Sequence, residues 1–149
     1  MRAVIQRVAR VRVTVGDEEV LRMGAGLLAL IGIGRRDALA DAGELARRIV
    51  NLRVFEDEDG RMNRSLLETG GALAIVSQFT LFGDARQGRR PFFGEAAPAE
   101  QAAPLVEALA DAARALGVSV VCGRFGARME VELVNVGPVT LLLDSERLF

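Results

Sequence analysis

A glycine–proline pair near the C-terminus, Gly137 and Pro138, separates two runs that both read as β-strands. Residues 129–134 alternate with period two, and residues 139–143 are mostly apolar. Proline offers no N–H to a strand ladder and fixes φ near about −65°. The pair therefore predicts a bend, a strand start or a cis peptide bond. A loop that joins two strands is the simplest interpretation, and a strained peptide at a functional site is the alternative.

Length and composition restrict the class of protein. A chain of 149 residues without repeats or linkers predicts a single domain over residues 1–149. The net charge of −1 argues against broad binding to a nucleic-acid duplex but permits a few contacts to an RNA end. A single cysteine, Cys122, excludes an internal disulfide and is typical of a reducing compartment. No secretory signal or bilayer-spanning run is visible, so we expect a cytoplasmic protein with no membrane partner.

The chain contains no histidine. Histidine is the usual general base near neutral pH, so Ser-His-Asp triads, Cys-His dyads and His-ligated zinc sites are all excluded. An enzyme with this composition must use backbone dipoles, carboxylates, hydroxyls or groups of its own substrate. We expect neither a metal ion nor a cofactor.

The periodicity predicts a sheet-rich α/β domain. Two helices are predicted at residues 38–52, with Asp37 as N-cap, and at residues 98–116, where Pro104 either starts or kinks the helix. Strands are predicted at residues 3–15, 20–23, 27–33, 53–55, 72–81, 118–122, 129–134 and 139–143. Two helices on one side cannot cover both faces of so many strands. A second sheet layer or a partner chain must bury the rest, which gives a layered α/β/β arrangement.

An acidic run at residues 56–60 (EDEDG) lies between two of the predicted elements. It lacks the alternating ligands and closing glutamate of an EF-hand calcium loop. We therefore interpret it as a solvated hairpin turn.

Polar residues end the strand that is predicted at residues 72–81. Ser77, Gln78 and Thr80 follow an apolar run, and α/β proteins place ligand sites where strands feed into loops. As strand residues, Ser77 and Phe79 would share one face, and Gln78 and Thr80 the other. Gln78 and Thr80 then present an amide and a hydroxyl to one ligand, unless these residues only end the strand and bond locally.

Two further features are candidates for chemistry. A cis peptide bond before Pro138 can align neighbouring carbonyl oxygens as an acceptor pair for an ammonium group, and Gly137 lets that backbone approach a ligand closely. The loop 86–93 (RQGRRPFF) contains arginines that can hold phosphate and aromatic residues that can stack on a base. Arg124 and Arg128 can also contact phosphate. The alternative is that these are ordinary surface residues. Cys122 lies in an apolar run and reads as a core residue.

In combination these segments resemble the D-aminoacyl-tRNA deacylases, a family also known as D-tyrosyl-tRNA deacylases. The residues that carry the resemblance are residues 77–81 (SQFTL) and, some fifty residues later, residues 135–140 (NVGPVT). Residues 3–8, 24–28, 88–91 and 123–125 also match. Val136 stands where relatives usually carry a polar residue, and Phe92 where a small polar one is common.

The resemblance implies a homodimer with catalytic pockets near the subunit interface. Gly137 and Pro138 would be joined by a cis bond, enter the partner's pocket, hold the α-amino group and exclude L-amino acids. The substrate would be the acceptor end of a tRNA that carries a D-amino acid or glycine. Ser77, Gln78 and Thr80 are implied as catalytic residues. The implied substrate-binding residues are Phe79, Arg90, Phe125, Met129, Gly137 and Pro138.

The role of Thr80 stays open between nucleophile and orienting group. Without a nearby base its hydroxyl is a poor nucleophile, so we favour an orienting role in which the terminal ribose hydroxyl assists. Backbone N–H groups near Phe79 and Thr80 are suited to stabilising an oxyanion.

Two other functions compete with the deacylase. A non-catalytic module that binds RNA ends would depend on Arg86, Arg89, Arg90 and Phe92. A different hydrolase would use Cys122 as its nucleophile.

Overall fold

The computed structural model describes residues 1–148, which form a six-stranded sheet, a small two-stranded sheet and three α-helices. The strands are β1 (Arg2–Val15), β2 (Glu18–Met23), β3 (Gly26–Gly32), β4 (Phe55–Glu56), β5 (Met62–Arg64), β6 (Ala72–Ser77), β7 (Ser119–Cys122) and β8 (Glu130–Asp144). The helices are α1 (Leu39–Val50), α2 (Leu66–Thr69) and α3 (Ala99–Ala115).

The long strand β1 organises the large sheet. It pairs antiparallel with β3 through its first half, with β2 through its second half and with β8 along almost its whole length. Strands β3, β6 and β7 continue the sheet in parallel. Parallel strands need cover on both faces, so this part of the sheet has to be sandwiched.

Alternation along the strands sends side chains into two separate cores. Leu27 and Ile31 of β3 pack with α1 and α3 on one face. Leu28 of β3 and Val76 of β6 pack on the other face against β2 and parts of β1 and β8. The sheet-rich α/β class with both long helices on one side is therefore confirmed, and the second sheet layer lies within one chain.

Helices α1 and α3 lie where they were predicted, but their ends differ from the prediction. Asp37 is not the N-cap of α1, because the cap residue is Ala38. The Asp37 carboxylate instead accepts a hydrogen bond from the Gly34 N–H at 2.6 Å, while Asp41 accepts from the Ala38 N–H at 2.8 Å. Helix α3 begins after Pro98 and continues through Pro104.

Helix α2 was not predicted, because four residues are too few to show a helical period. A capping signal was present in the sequence. The Ser65 side chain accepts a hydrogen bond from the Glu68 N–H, and the Glu68 carboxylate accepts from the Ser65 N–H at 2.6 Å.

Two strand predictions are wrong in ways that concern the candidate site. Strand β6 ends at Ser77, and residues 79–82 form a 3-10 turn (Phe79–Phe82). The predicted two-face alternation over residues 77–80 therefore fails, since those residues are not all in a strand. The segments 129–134 and 139–143 are not two strands joined by a loop, because β8 runs through both of them.

The acidic run 56–60 is a hairpin turn, as predicted, and joins β4 to β5. Asp57 organises it by accepting hydrogen bonds from the N–H groups of Asp59 and Arg61, each at 3.0 Å. The bond from Arg61 is the main reason that the pKa of the Asp57 carboxyl is lowered. Strand β4 begins at Phe55, so the strand predicted at residues 53–55 is displaced towards the turn. None of the helices in residues 1–148 is long and apolar enough to cross a membrane.

Candidate active site

A cavity of about 370 Å³ opens between the first half of α3 and the ends of β3 and β6. Ser77, Gln78 and Phe79 line one side of it, and Phe125 and Met129 line another. The structure thus brings together residues from two parts of the chain that the sequence singled out separately. Thr80, Gly137, Pro138 and Arg90 do not line this cavity.

Glycines at the end of β3 make room for the 3-10 turn. A Cβ at Gly32 would lie 3.0 Å from the Gln78 carbonyl oxygen and 3.0 Å from the Cβ of Leu81. A Cβ at Gly34 would lie 2.8 Å from the ring of Phe82. The turn can therefore sit directly on the strand end. The Gln78 N–H also donates to the Ile31 carbonyl at 2.7 Å, which anchors the first residue of the turn.

The 3-10 turn brings Gln78 and Thr80 into contact. The Gln78 Nε2 donates a hydrogen bond to Thr80 Oγ1. The amide N–H groups of Phe79 and Thr80, at the start of the turn, have no hydrogen-bond acceptor among residues 1–148. Two neighbouring free N–H groups beside an oriented hydroxyl can bind an oxygen that carries negative charge.

The cavity is formed by uncharged side chains. Within residues 1–148 none of its lining residues is ionisable, and no group of three or more Cys, Asp or Glu side chains is arranged to hold a metal ion. This arrangement can position a reactive substrate and polarise it through dipoles. Among residues 1–148 it places no general base in the cavity wall.

The arginine loop, residues 83–94, lies beside the cavity because Phe93 packs edge-on against Phe79, with ring centroids 5.1 Å apart. Arg86 is held within this loop by Asp84, to which its Nη2 donates at 2.6 Å. That contact lowers the pKa of the Asp84 carboxyl to about 2. Among the described residues Arg89 and Arg90 form no ion pair or hydrogen bond through their side chains.

The phenylalanine that departs from the resemblance, Phe92, is 69% exposed. Its backbone pairs with Asp84 in both directions at 2.8 Å, and its ring lies so close to Gly94 that a Cβ there would collide with it. The aromatic ring of Phe92 is therefore exposed to solvent, while hydrogen bonds to Asp84 hold its backbone in place.

Gly137 and Pro138 lie in a bulge of β8, residues 136–139, called here the β8 bulge. Gln6 pairs with Thr140 and Val8 pairs with Asn135, so these four residues face a single residue of β1, Arg7. The peptide bond between Gly137 and Pro138 is cis, and both residues are exposed.

The side chain of Asn135, the residue directly before the β8 bulge, forms a hydrogen bond across it. Asn135 Nδ2 donates to the Val139 carbonyl at 3.0 Å, across the Gly137–Pro138 step. Gly137 has φ +117°, and a Cβ there would lie 2.8 Å from a methyl group of Val139. A side chain at position 137 is thus opposed both by the backbone conformation and by its neighbour.

Sequence reasoning missed Arg7, which is 8% exposed. Its Nη1 donates to the Val54 carbonyl at 2.6 Å, its Nε donates to the Val136 carbonyl at 3.2 Å, and its Nη2 lies 3.6 Å from a carboxylate oxygen of Glu56. The sequence did contain a sign that Arg7 is buried, because this charged residue occupies a position where the alternation of β1 favours an apolar one.

Cys122 lies at the end of β7 and is not part of the cavity lining. It is half-buried, and burial raises the pKa of its thiol against the opposing effect of Arg114. A thiol with a raised pKa is a weak nucleophile at neutral pH.

Known proteins match the chain over nearly its whole length. The family model described as D-Tyr-tRNA(Tyr) deacylase matches residues 4–144. A protein of Roseiflexus sp. (strain RS-1) named D-aminoacyl-tRNA deacylase is 61% identical over 145 residues, which is 97% of this chain and 94% of that protein. A protein of the same name from Symbiobacterium thermophilum is 57% identical over 149 residues, covering 100% of this chain and 99% of the relative.

Solved structures agree with this match. One described as "c-Myc DNA Unwinding Element Binding Protein" superposes with a TM-score of 0.90 at 38% identity, over 97% of this chain and 98% of that one. Another, described as a probable eukaryotic D-amino acid tRNA deacylase, has a TM-score of 0.79 at 20% identity over 95% and 97% of the two chains, and shows the shared fold. The chain belongs to the D-Tyr-tRNA(Tyr) deacylase family.

Proposed function

We propose that this protein hydrolyses the ester bond of D-aminoacyl-tRNA and of glycyl-tRNA, releases free amino acid and tRNA, and spares L-aminoacyl-tRNA. The two relatives compared above are both named D-aminoacyl-tRNA deacylase. The observation that carries the proposal is the placement of Ser77, Gln78 and Phe79 on one uncharged cavity, at the start of a 3-10 turn whose Phe79 and Thr80 N–H groups have no acceptor among residues 1–148.

The chemistry suits such a site because an aminoacyl ester is already activated. Water adds to the ester carbonyl carbon, and the carbonyl oxygen becomes an oxyanion that the N–H groups of Phe79 and Thr80 stabilise. The bond to the ribose oxygen then breaks, and that oxygen takes up a proton. Thr80, held by Gln78, orients the ester or the water, and the neighbouring ribose hydroxyl of the tRNA assists proton transfer.

The proposal includes a homodimer in which the β8 bulge of one subunit enters the cavity of the other. Gly137 and Pro138 do not line the cavity of their own chain, and they are exposed. Strand β8 pairs only with β1 among the described residues and exposes apolar side chains, including Leu142 at 57%. A long strand with one open edge and apolar side chains favours burial against a second chain.

Selection of D- over L-amino acids would depend on the backbone groups that the β8 bulge places in the partner's cavity. The backbone carbonyls at Gly137 and Pro138 accept hydrogen bonds from the substrate's α-ammonium group. With that group fixed, the backbone occupies the space that an L side chain needs, while a D side chain points away. Glycine has no side chain to reject, so glycyl-tRNA is accepted.

The acceptor end of the tRNA would lie across the arginine loop. Arg89 and Arg90 are available for phosphates, whereas Arg86 is engaged by Asp84. The exposed ring of Phe92 can stack on an unpaired base, as aromatic residues do in proteins that bind single-stranded RNA. A few local contacts agree with the net charge of −1.

Two measurements on purified protein test this proposal. The first is amino acid release from one tRNA charged with a D-amino acid, glycine or an L-amino acid. Binding of the tRNA without release of the D-amino acid would instead support a non-catalytic RNA-end module. The second is a mixed dimer of Gly137→Ala and Gln78→Ala subunits. If each site uses both chains, one site of the mixed dimer combines an intact Gln78 from one subunit with an intact Gly137 from the other. The mixed dimer should then be more active than either parent dimer.

A further inference from the structure

One wall of the cavity is a loop whose base is firmly fixed. Residues 123–129, called here the pocket loop, contribute Phe125 and Met129 to the lining. The Gly123 N–H donates to the Ile75 carbonyl of β6 at 2.9 Å. A Cβ at Gly123 would lie 2.8 Å from the sulfur of Met129, so the two ends of the loop are in contact.

The tip of the pocket loop is a tight turn. The Ala127 N–H donates to the Arg124 carbonyl at 3.2 Å, and Gly126 has φ +73°. These features shape the turn that presents Phe125. They do not fix where the turn lies relative to the rest of the cavity.

The side chain of Arg124 joins this turn to a distant element. Its Nη1 and Nη2 donate to the two carboxylate oxygens of Glu18 at 2.9 and 2.7 Å, a bidentate pair between residues 106 positions apart. Glu18 begins β2 directly after the two-residue turn of the β1–β2 hairpin, where it pairs with Val15. The hydrogen bonds from Arg124 lower the pKa of the Glu18 carboxyl, so the pair stays charged at neutral pH.

We propose that Arg124 and Glu18 are positioning residues, whose bidentate ion pair holds the pocket loop against the β1–β2 hairpin and so places Phe125 at the substrate. Neither residue lines the cavity. The planar fork of an arginine matches a carboxylate in one geometry, so the pair defines direction as well as distance. The effect on substrate rests on the proposed function, but the effect on the loop does not.

An arginine beside the cavity of a tRNA-acting enzyme has an obvious rival role, which is to bind a phosphate of the RNA. The two roles predict opposite effects for Glu18. If Glu18 positions the loop, its loss weakens activity just as the loss of Arg124 does. If Arg124 binds phosphate, Glu18 competes for it, and removal of Glu18 strengthens tRNA binding.

The experiment compares Glu18→Gln, Arg124→Gln and the charge-swapped double variant Glu18→Arg/Arg124→Glu, with D-aminoacyl-tRNA as the substrate. We expect each single variant to lower kcat/KM by roughly two- to five-fold, the range for an ion pair at the surface, and the swap to recover most of this loss. The matched control is Glu19→Gln. Glu19 lies on the same hairpin and pairs with Arg12 and Arg22, away from the pocket loop, so its loss should leave kcat/KM unchanged.

Amide hydrogen exchange provides a readout that does not depend on activity. Residues 124–128 should exchange faster in both single variants than in the parent, and at close to the parental rate in the swap. Tighter tRNA binding by Glu18→Gln, unaltered exchange in the single variants, or a swap no better than Arg124→Gln would each overturn the proposal. If the parent protein fails to hydrolyse the ester, the proposed function falls, and hydrogen exchange still decides whether the ion pair positions the loop.

Discussion

Arg7 of β1 and Val136 of the β8 bulge are joined by a hydrogen bond from the arginine Nε to the valine carbonyl oxygen at 3.2 Å. The same guanidinium donates to the Val54 carbonyl at 2.6 Å, just before β4. The segment that carries Gly137 and Pro138 is therefore braced from inside the protein by one planar side chain, which leaves its outer surface free.

Replacing Arg7 with lysine should loosen this brace. A lysine ammonium cannot reproduce the fork of donors that reaches both carbonyl groups, and a buried carbonyl left without a donor costs about 1–3 kcal/mol. We expect Arg7→Lys to lower the free energy of unfolding by that amount and to reduce the preference for D- over L-aminoacyl-tRNA. Chemical denaturation and initial rates measure the two effects. Arg12→Lys, on the exposed part of the same strand, is the control. A fully selective Arg7→Lys enzyme would contradict the role given to Arg7.

Gly137→Ala should impair the enzyme more than a glycine substitution elsewhere. The added Cβ would lie 2.8 Å from Val139 and 2.9 Å from Arg7 Nη2, at a φ of +117°. Backbone strain of this kind costs about 1–3 kcal/mol, and relief of the contact would shift the bulge. The expected result is a loss of D-aminoacyl-tRNA hydrolysis of at least about ten-fold, measured as kcat/KM.

The control for this substitution is Gly60→Ala, which has a positive φ of +74° but open space around the new methyl group. It should lose some stability and keep its activity. Unchanged activity in Gly137→Ala would remove Gly137 from the site.

Gly32→Ala tests how the 3-10 turn is placed. Its methyl group would lie 3.0 Å from the Gln78 carbonyl oxygen and from the Leu81 Cβ, so the turn must move by a few tenths of an ångström. Because the turn carries the proposed oxyanion donors, we expect kcat to fall more than KM rises. Gly24→Ala, where nothing lies within 4 Å, should match the parent enzyme. A rise in KM with unchanged kcat would contradict the proposed role of the turn.

Cys122→Ala should retain full deacylase activity. Burial raises the pKa of the Cys122 thiol, so at pH 7 to 8 the neutral thiol predominates and the nucleophilic thiolate is scarce. In the parent protein, alkylation of Cys122 should be slower than that of free cysteine at pH 8 and should accelerate as the pH rises. Loss of activity in Cys122→Ala, with the fold intact by circular dichroism, would restore the cysteine hydrolase hypothesis.

The scaffold was largely readable from sequence because its signals are periodic and local. Period-two alternation located the second half of β1, a continuous apolar run located the buried core of β6, and helical spacing located α1 and α3. What failed were the places where tertiary contacts override local pattern. The 3-10 turn after Ser77 depends on the space left by Gly32 and Gly34, which no property of residues 77–82 reveals.

In the candidate site too, local motifs identified some residues, whereas features that depend on tertiary contacts could not be predicted. Residues 77–79 and Phe125 were named from motifs, and the structure places them on one cavity. The continuity of β8 through a Gly-Pro pair could not be predicted, because it depends on Arg7 and Asn135 supplying hydrogen bonds across the bulge. Arg7 itself was visible only as a charge out of phase with its strand.

The most direct test of the proposed function is the ratio of initial hydrolysis rates for D- and L-aminoacyl esters of the same amino acid on the same tRNA, measured with the unmodified protein at equal concentrations. A chirally selective deacylase should release the D-amino acid rapidly and hydrolyse the L-ester no faster than it breaks down spontaneously. Equal enzymatic rates for the two esters, or a D-ester that remains intact after prolonged incubation, would contradict the proposed function.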